Sequence, residues 1–337
     1  YYFKMLKNML RKEKIQNPQI KRFGTFSMVQ SCLQPICDVY KHENGVISYL
    51  NQGNYGPFST HAMVLAQPIC AANQQEKVLT DFLQQHQDAA FVQVDEILAK
   101  LLKKQFNYHI IPFGVEHELD LQQFAYNWRL RPNLIRYKNK FKRLDYHAHE
   151  IKFNENYQAK CKALSDQWMA SKHVKTEQSF LTRPLHFEAE ENVRVFVLEN
   201  QNHLICFLTL DPIYKNNKII GYLINHLRYN PELPKGASYA LIAAVIDQLK
   251  VEGVQILSLG IAPYQQKECQ TSDLMYLKTF FDLIYSQNKV IYNFKGIQHM
   301  KESFKAQKSL RYLAFKSSFP IIDCVKLYQA FLFGRKI

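Results

Sequence analysis

Along this chain, apolar residues recur at a helical spacing in some segments and alternate or run together at strand spacing in others. That rhythm predicts a helix over Gln75–Gln85, a strand over Ala89–Val94, a helix over Asp95–Phe106 and a strand over Tyr108–Gly114. Pro132–Leu144 reads as a helix with proline in its first turn, a position where the missing N–H costs nothing. A second α/β series follows: a helix over Glu155–Lys172, then strands over Val193–Glu199, Leu204–Leu210 and Lys218–Leu227. The turn Asn230-Pro231-Glu232-Leu233-Pro234-Lys235-Gly236 leads into an apolar helix, Ala237–Val251, and a strand over Gln255–Leu259. Thr25–Pro68 is mixed and turn-rich. At the two ends, Tyr2–Gln16 and Phe319–Ile337 carry amphipathic patterns with interspersed cations, which suit docking on the protein body or lying on a membrane.

Composition narrows the class. Of 337 residues, 47% are hydrophobic and 21% charged, which fits folded α/β domains and excludes a disordered chain. The formal net charge of +14 points to polyanionic partners, nucleic acid or an anionic membrane. Seven scattered cysteines without a Cys-x-x-Cys pair argue against a disulfide framework or structural zinc. No apolar run approaches the roughly 18 residues needed to span a bilayer. His147, His149 and Glu150 sit close together, but no second ligand cluster accompanies them, so no metal is expected.

The charge is concentrated. Arg129, Arg131, Arg136, Lys138, Lys140, Lys142 and Arg143 crowd the helix around Leu134, Tyr137 and Phe141, and no acidic residue interrupts them before Asp145. Such a helix fits phosphate binding between two halves of a protein, through Arg136, Lys138, Lys140, Lys142 and Arg143. A second basic and aromatic stretch runs Tyr292-Asn293-Phe294-Lys295-Gly296-Ile297-Gln298-His299-Met300-Lys301-Glu302-Ser303-Phe304-Lys305, with Arg311-Tyr312-Leu313-Ala314-Phe315 after it.

Antiparallel strands followed by strand–turn–helix–strand is the order of a GNAT acyltransferase core. Acyl-CoA enzymes of that fold hold pyrophosphate on free N–H groups at a glycine-rich turn. Here the turn has a single glycine, Gly236, beside Lys235, so a coenzyme A reading is weak. Ile224–Gly236, Leu257-Ser258-Leu259-Gly260-Ile261-Ala262-Pro263 and Tyr292–Phe315 together resemble the phosphatidylglycerol lysyltransferase C-terminal family, the synthase domains of the multiple peptide resistance factors. The resemblance implies two tandem GNAT-like α/β (α+β) domains, at 1–128 and 151–318, joined by a basic linking helix at 129–150 and followed by an amphipathic helix at 319–337. It further implies transfer of an amino acid from aminoacyl-tRNA to a lipid such as phosphatidylglycerol, without a cofactor, by a cytoplasmic protein held peripherally on the inner face of the membrane. Two alternatives stay open: a peptidoglycan-bridge-like acceptor, and a non-catalytic scaffold for RNA or anionic membrane.

Arg228 is the first candidate for holding the acyl carbonyl, because a guanidinium offers a planar fork and stays charged. Its plain alternative is an ion pair with Glu232. Asn225 and Ser238 stand where the family favours aspartates, so negative charge is removed from positions that could hold a donor's amino group. Lys295, Lys301, Lys305 and Arg311 are candidates for gripping substrate phosphates, with Glu302 as counter-ion or amine ligand. Lys235 adds a cation at the helix start.

Overall fold

Among the described residues, apolar alternation puts twelve strands into one mixed sheet, with helices on both faces. The computed structural model describes residues 18–51, 62–172, 175–201, 203–232, 235–263, 273–277, 279 and 294–333, so the basic helix expected over Tyr2–Gln16 lies outside them. The first half comprises α1 (Pro18–Phe23), β1 (Asp38–His42), β2 (Gly45–Asn51), β3 (Ala62–Leu65), β4 (Ile69–Cys70), α2 (Gln75–Gln85), β5 (Ala90–Val94), α3 (Glu96–Phe106) and β6 (His109–Asp120). The second half has α4 (Pro132–Arg143), β7 (His147–Ile151), α5 (Glu155–Ala170), β8 (Arg194–Asn200), β9 (His203–Lys215), β10 (Lys218–Tyr229), α6 (Ala237–Val251) and β11 (Ile256–Pro263). It closes with α7 (Phe294–Glu302), β12 (Gln307–Phe315) and α8 (Ile321–Phe333).

Local chemistry sets many of these boundaries. Asp95 caps α3 by accepting from Leu98 N at 2.8 Å, and Asn107 ends it in the left-handed region that its short polar side chain tolerates. Asn216 and Asn217, both at positive φ, make the two-residue turn between β9 and β10. Along α6, Leu241, Ile242, Ala243, Val245 and Ile246 are all buried, so this helix forms the core of the second half.

The sheet order is β1-β2-β3-β5-β12-β6-β11-β10-β9-β8-β7, with β4 beside β2. It runs unbroken through both halves. β6 pairs with β11 and β12, and β12 lies between β5 and β6. The stretch 307–315, expected inside the C-terminal unit, therefore completes the N-terminal part of the sheet. Leu313, Ala314 and Phe315 are buried there, so apolar burial fixes the insertion.

α4 packs across the start of α6. Leu134 and Phe141 are buried beneath it, and Arg131 clamps its N-terminus by donating to Phe304 O at 2.8 Å. The ring of Tyr137 lies so close over Gly236 that a Cβ there would come within 2.0 Å of it. Tyr137, Tyr239 and Phe304 then stack in series, at centroid distances of 5.3 and 5.6 Å. Aromatic packing thus occupies the ground above the single-glycine turn.

Candidate active site

β10 and β11 run parallel and pair only from Gly221 to Leu223 against Ile256 to Ser258. Beyond that point β10 stays with β9 and β11 stays with β6, so the two strands part and leave a wedge. Each strand carries a bulge at the opening, between Ile224 and His226 on β10 and between Ser258 and Gly260 on β11. Asn225 is the extra residue of the first bulge, which turns it out of the ladder.

Gly260 has φ +77, a conformation glycine adopts without strain. A side chain there would meet Leu223 Cδ1 at 3.3 Å and Lys301 Nζ at 3.4 Å. Lys301 reaches in from α7 beside this residue and donates to Ile261 O at 2.6 Å. Burial drives the Lys301 ammonium down to about 7, against the opposing pull of Glu116. Lys301 is consequently the buried titratable group at the wedge that can give or take a proton near neutrality.

Glu116 is itself buried on β6. Its Oε1 accepts from Ser258 Oγ at 2.7 Å, and its Oε2 accepts from Arg311 Nε at 2.8 Å and from a second Arg311 nitrogen. Burial pushes this carboxyl up, but Arg311 with Ser27 and Ser258 outweighs it and holds the group below its usual range. Arg311 therefore ties β12 to β6 rather than reaching toward solvent phosphate.

The segment 175–193 roofs the other side of the wedge. Buried Arg183 anchors it, donating to Asp211 at 2.5 and 2.7 Å and to Glu190 at 2.9 and 3.0 Å. Phe180 exchanges two hydrogen bonds with the Gln34 side chain, both 2.8 Å, which joins the roof to the first half. From this segment Thr182 Oγ1 donates to Asn225 Oδ1 at 2.7 Å. Glu177 takes Arg228 Nη2 at 3.1 Å from each carboxylate oxygen, so Arg228 pairs with Glu177 and not with Glu232, the alternative partner in sequence. The Arg228 guanidinium also lies 3.9 Å above the Trp168 ring. Asn225 Nδ2 and Arg228 Nε are buried without a hydrogen-bond partner among the described residues. Two such donors on one strand end leave hydrogen-bonding capacity unmet among the described residues.

His226, between them, is fully buried and bonds Thr209 and the Arg183 carbonyl. Burial, then Arg228 and Arg183, push it well below its ordinary value, so it stays neutral and structural.

The other expected residues separate in space. Lys301 and Lys305, expected one turn apart on a helix face, diverge because α7 ends at Glu302 and Lys305 takes φ +50. Lys305 instead lines a cleft of about 270 Å³ with His117, Glu302, Ala306 and Lys308. Burial, then Lys301 and Lys308, bring His117 down to about 4. Lys295 is exposed in the first turn of α7, Lys235 is exposed before α6, and Ser238 is half-buried in its first turn. On α4, Arg136, Lys142 and Arg143 are exposed, and Lys140 is half-buried over the Phe141 ring. Lys138 departs from the expected unneutralised run, because Asp247 on α6 pairs with it at 2.6 Å.

Glu116, Glu177, Trp168 and Thr182 were not singled out as site residues from sequence. Only Gly260 left a trace, as an isolated glycine inside an apolar strand, which marks a bulge or a close approach.

A splayed strand pair with bulges at its mouth, followed through α6 by the parallel strand β11, defines a GNAT-like acyltransferase fold. The chain belongs to the phosphatidylglycerol lysyltransferase C-terminal family, whose model matches residues 36–315. A curated relative, phosphatidylglycerol lysyltransferase of Bacillus subtilis (strain 168), is 24% identical over 272 residues. That match takes in 78% of this chain but 31% of the relative, so the chain spans under a third of that protein's length. The solved structure of L-PGS from Bacillus licheniformis superposes with a TM-score of 0.79 at 20% identity, covering 96% of this chain and 97% of that one. The C-terminal domain of a putative lysylphosphatidylglycerol synthetase from Agrobacterium fabrum gives 0.77 at 17% identity, over 97% and 99% of the two chains. Among the described residues no helix is long and apolar enough to cross a membrane.

Proposed function

We propose that this chain transfers an aminoacyl group from aminoacyl-tRNA to a hydroxyl of phosphatidylglycerol at a membrane surface. The observation that carries the reading is Lys301, a buried amine threaded past Gly260 into the wedge and titrating near neutrality. The acyl ester is already activated, so the reaction needs alignment, a proton path and an oxyanion site. The acceptor hydroxyl attacks the ester carbonyl, its proton passes to neutral Lys301, and the tetrahedral oxyanion collapses. The bond to the tRNA ribose oxygen then breaks, and that oxygen takes the proton from Lys301. The open donors of Asn225 and Arg228 stabilise the oxyanion, and one such donor contributes about 3 kcal/mol. Lys305 and Lys308 at the cleft, with the exposed cations of α4, supply charge for tRNA or lipid phosphate.

The test pairs the protein with tRNAs charged with individual amino acids and with phosphatidylglycerol vesicles, and identifies the product lipid by mass spectrometry. Arg228→Ala should lower kcat strongly and change KM little, because an oxyanion contact acts in the transition state. Absence of aminoacylated lipid with every charged tRNA, or a purely KM effect of Arg228→Ala, overturns this assignment.

A further inference from the structure

α8 buries Leu327 and Ala330 in the core and leaves a second apolar face outside. Its two charged residues, Asp323 and Lys326, face the protein body, at 1% and 9% exposure. Its outer face carries Ile321, Ile322, Val325 and Tyr328, each close to half exposed. These positions lie at helical spacings of three and four, so they form one stripe. The stripe is extended by Phe319, which is 72% exposed and stacks on Tyr276 at 5.2 Å, with Met275 alongside. Tyr276 also donates from its hydroxyl to Ser318 O at 2.7 Å, which holds this extension in place.

Cations border the patch. Lys316 precedes Phe319 and donates to Phe106 O at the end of α3, where Lys104 is exposed. Lys103, on the same turn, pairs with Asp273 at 2.6 Å, two residues before Met275. Apolar side chains, tyrosines with polar tips and a cationic rim together make the signature of a surface that lies in a lipid headgroup layer. A stable protein interface needs about 20–30 residues a side, and among the described residues this patch has seven. Shallow lipid insertion needs far fewer.

We propose that the outer face of α8, with Met275, Tyr276 and Phe319, docks this chain on an anionic phospholipid bilayer. The inner side of the helix is bonded to the segment that covers the wedge. Ser179 Oγ donates to Ala330 O at 3.0 Å, and Ser179 N donates to Phe331 O at 3.1 Å. Ser179 belongs to the roof segment that carries Glu177 to Arg228 and Thr182 to Asn225. A bilayer against the outer face of α8 is therefore linked, through the helix and Ser179, to the segment that holds Arg228 and Asn225. This rests on the proposed lipid acceptor for its purpose but not for its measurement.

Co-sedimentation of the 337-residue chain with vesicles of phosphatidylglycerol and phosphatidylethanolamine tests it. The double variant Ile322→Asp, Val325→Asp places two carboxylates on the outer face without touching a buried side chain. Unchanged thermal unfolding confirms that it folds, and it should bind these vesicles at least about tenfold more weakly. Lys316→Gln should weaken binding less and reduce its salt dependence. Transfer to vesicle-embedded acceptor should fall with the double variant, while transfer to a short-chain monomeric phosphatidylglycerol should not. Wild-type vesicle binding by the folded double variant overturns the docking surface, and leaves the face to a protein partner. Loss of vesicle binding with no transfer to any acceptor upholds the surface and defeats the proposed reaction instead.

Discussion

Lys301→Met separates the burial of a charge from the chemistry that the charge performs. Lys301 is only 7% exposed, and its amine has fallen from the ordinary 10.5 to about 7 because burial disfavours the charged form. At about 1.4 kcal/mol per pH unit, that gap corresponds to roughly 5 kcal/mol carried by the native state when the amine is protonated. The sign follows from proton counting. The folded value lies below the unfolded one, so between pH 7 and 10.5 the unfolded chain binds a proton that the native chain does not. Wild-type stability from this group therefore rises with pH across that window and is flat below it. Methionine keeps the length and apolar stem but cannot titrate. The stability of wild type minus that of Lys301→Met should climb by up to about 1.4 kcal/mol per pH unit above neutrality. Below pH 7 the variant should be the more stable protein, although Ile261 O loses its partner. Denaturant unfolding of both proteins at several pH values from 6 to 9.5 measures this, with transfer activity abolished in the variant. Parallel stability curves for the two proteins would refute the buried, titrating lysine.

Gly260→Ala should cost about 1–3 kcal/mol, because alanine is strained at φ +77. The new methyl would press on Leu223 Cδ1 at 3.3 Å and only touch Lys301 Nζ at 3.4 Å, so turnover by the folded variant should change little; a collapse of kcat would show that Lys301 needs this position bare. For nucleic acid, glutamine replacements of exposed Arg136, Lys142 and Arg143 should each flatten the log affinity against log salt slope for tRNA, by about 0.7–0.9 for every phosphate no longer neutralised. Lys138→Gln should flatten it less, since Asp247 already holds that ammonium; equal slopes for all variants would mean that α4 is only solvated.

Much of the architecture was legible because local signals and tertiary burial agree. The 3.6-residue spacing over Gln75–Gln85 and the unbroken apolar run after Gly236 gave α2 and α6 their observed limits. Pro132 marked the start of α4 through backbone chemistry that acts within a few residues, whereas the run of β9 past Leu210 to the Asn216-Asn217 turn was not read from sequence. The lone glycine of the 230–236 turn was also legible, and the Tyr137 ring over Gly236 supplies its structural reason.

Pairing between distant segments left no such signal. The placement of β12 between β5 and β6 depends on apolar matching across about 200 residues, which no local period encodes. The same holds for the site. Charge pattern and motif position named Lys301, Asn225 and Arg228, but sequence treated Lys301 and Lys305 as one cationic face. The end of α7 at Glu302 and the buried path past Gly260 divided them into an inward amine and a surface cation. Arg311 likewise became the partner of Glu116, because β12 and β6 lie side by side. The sequence by itself determined the residue types and the helices with strong local signals, such as α2, α4 and α6. Only the tertiary structure decided which charges are buried, since desolvation depends on what packs around a group and not on its neighbours in the chain.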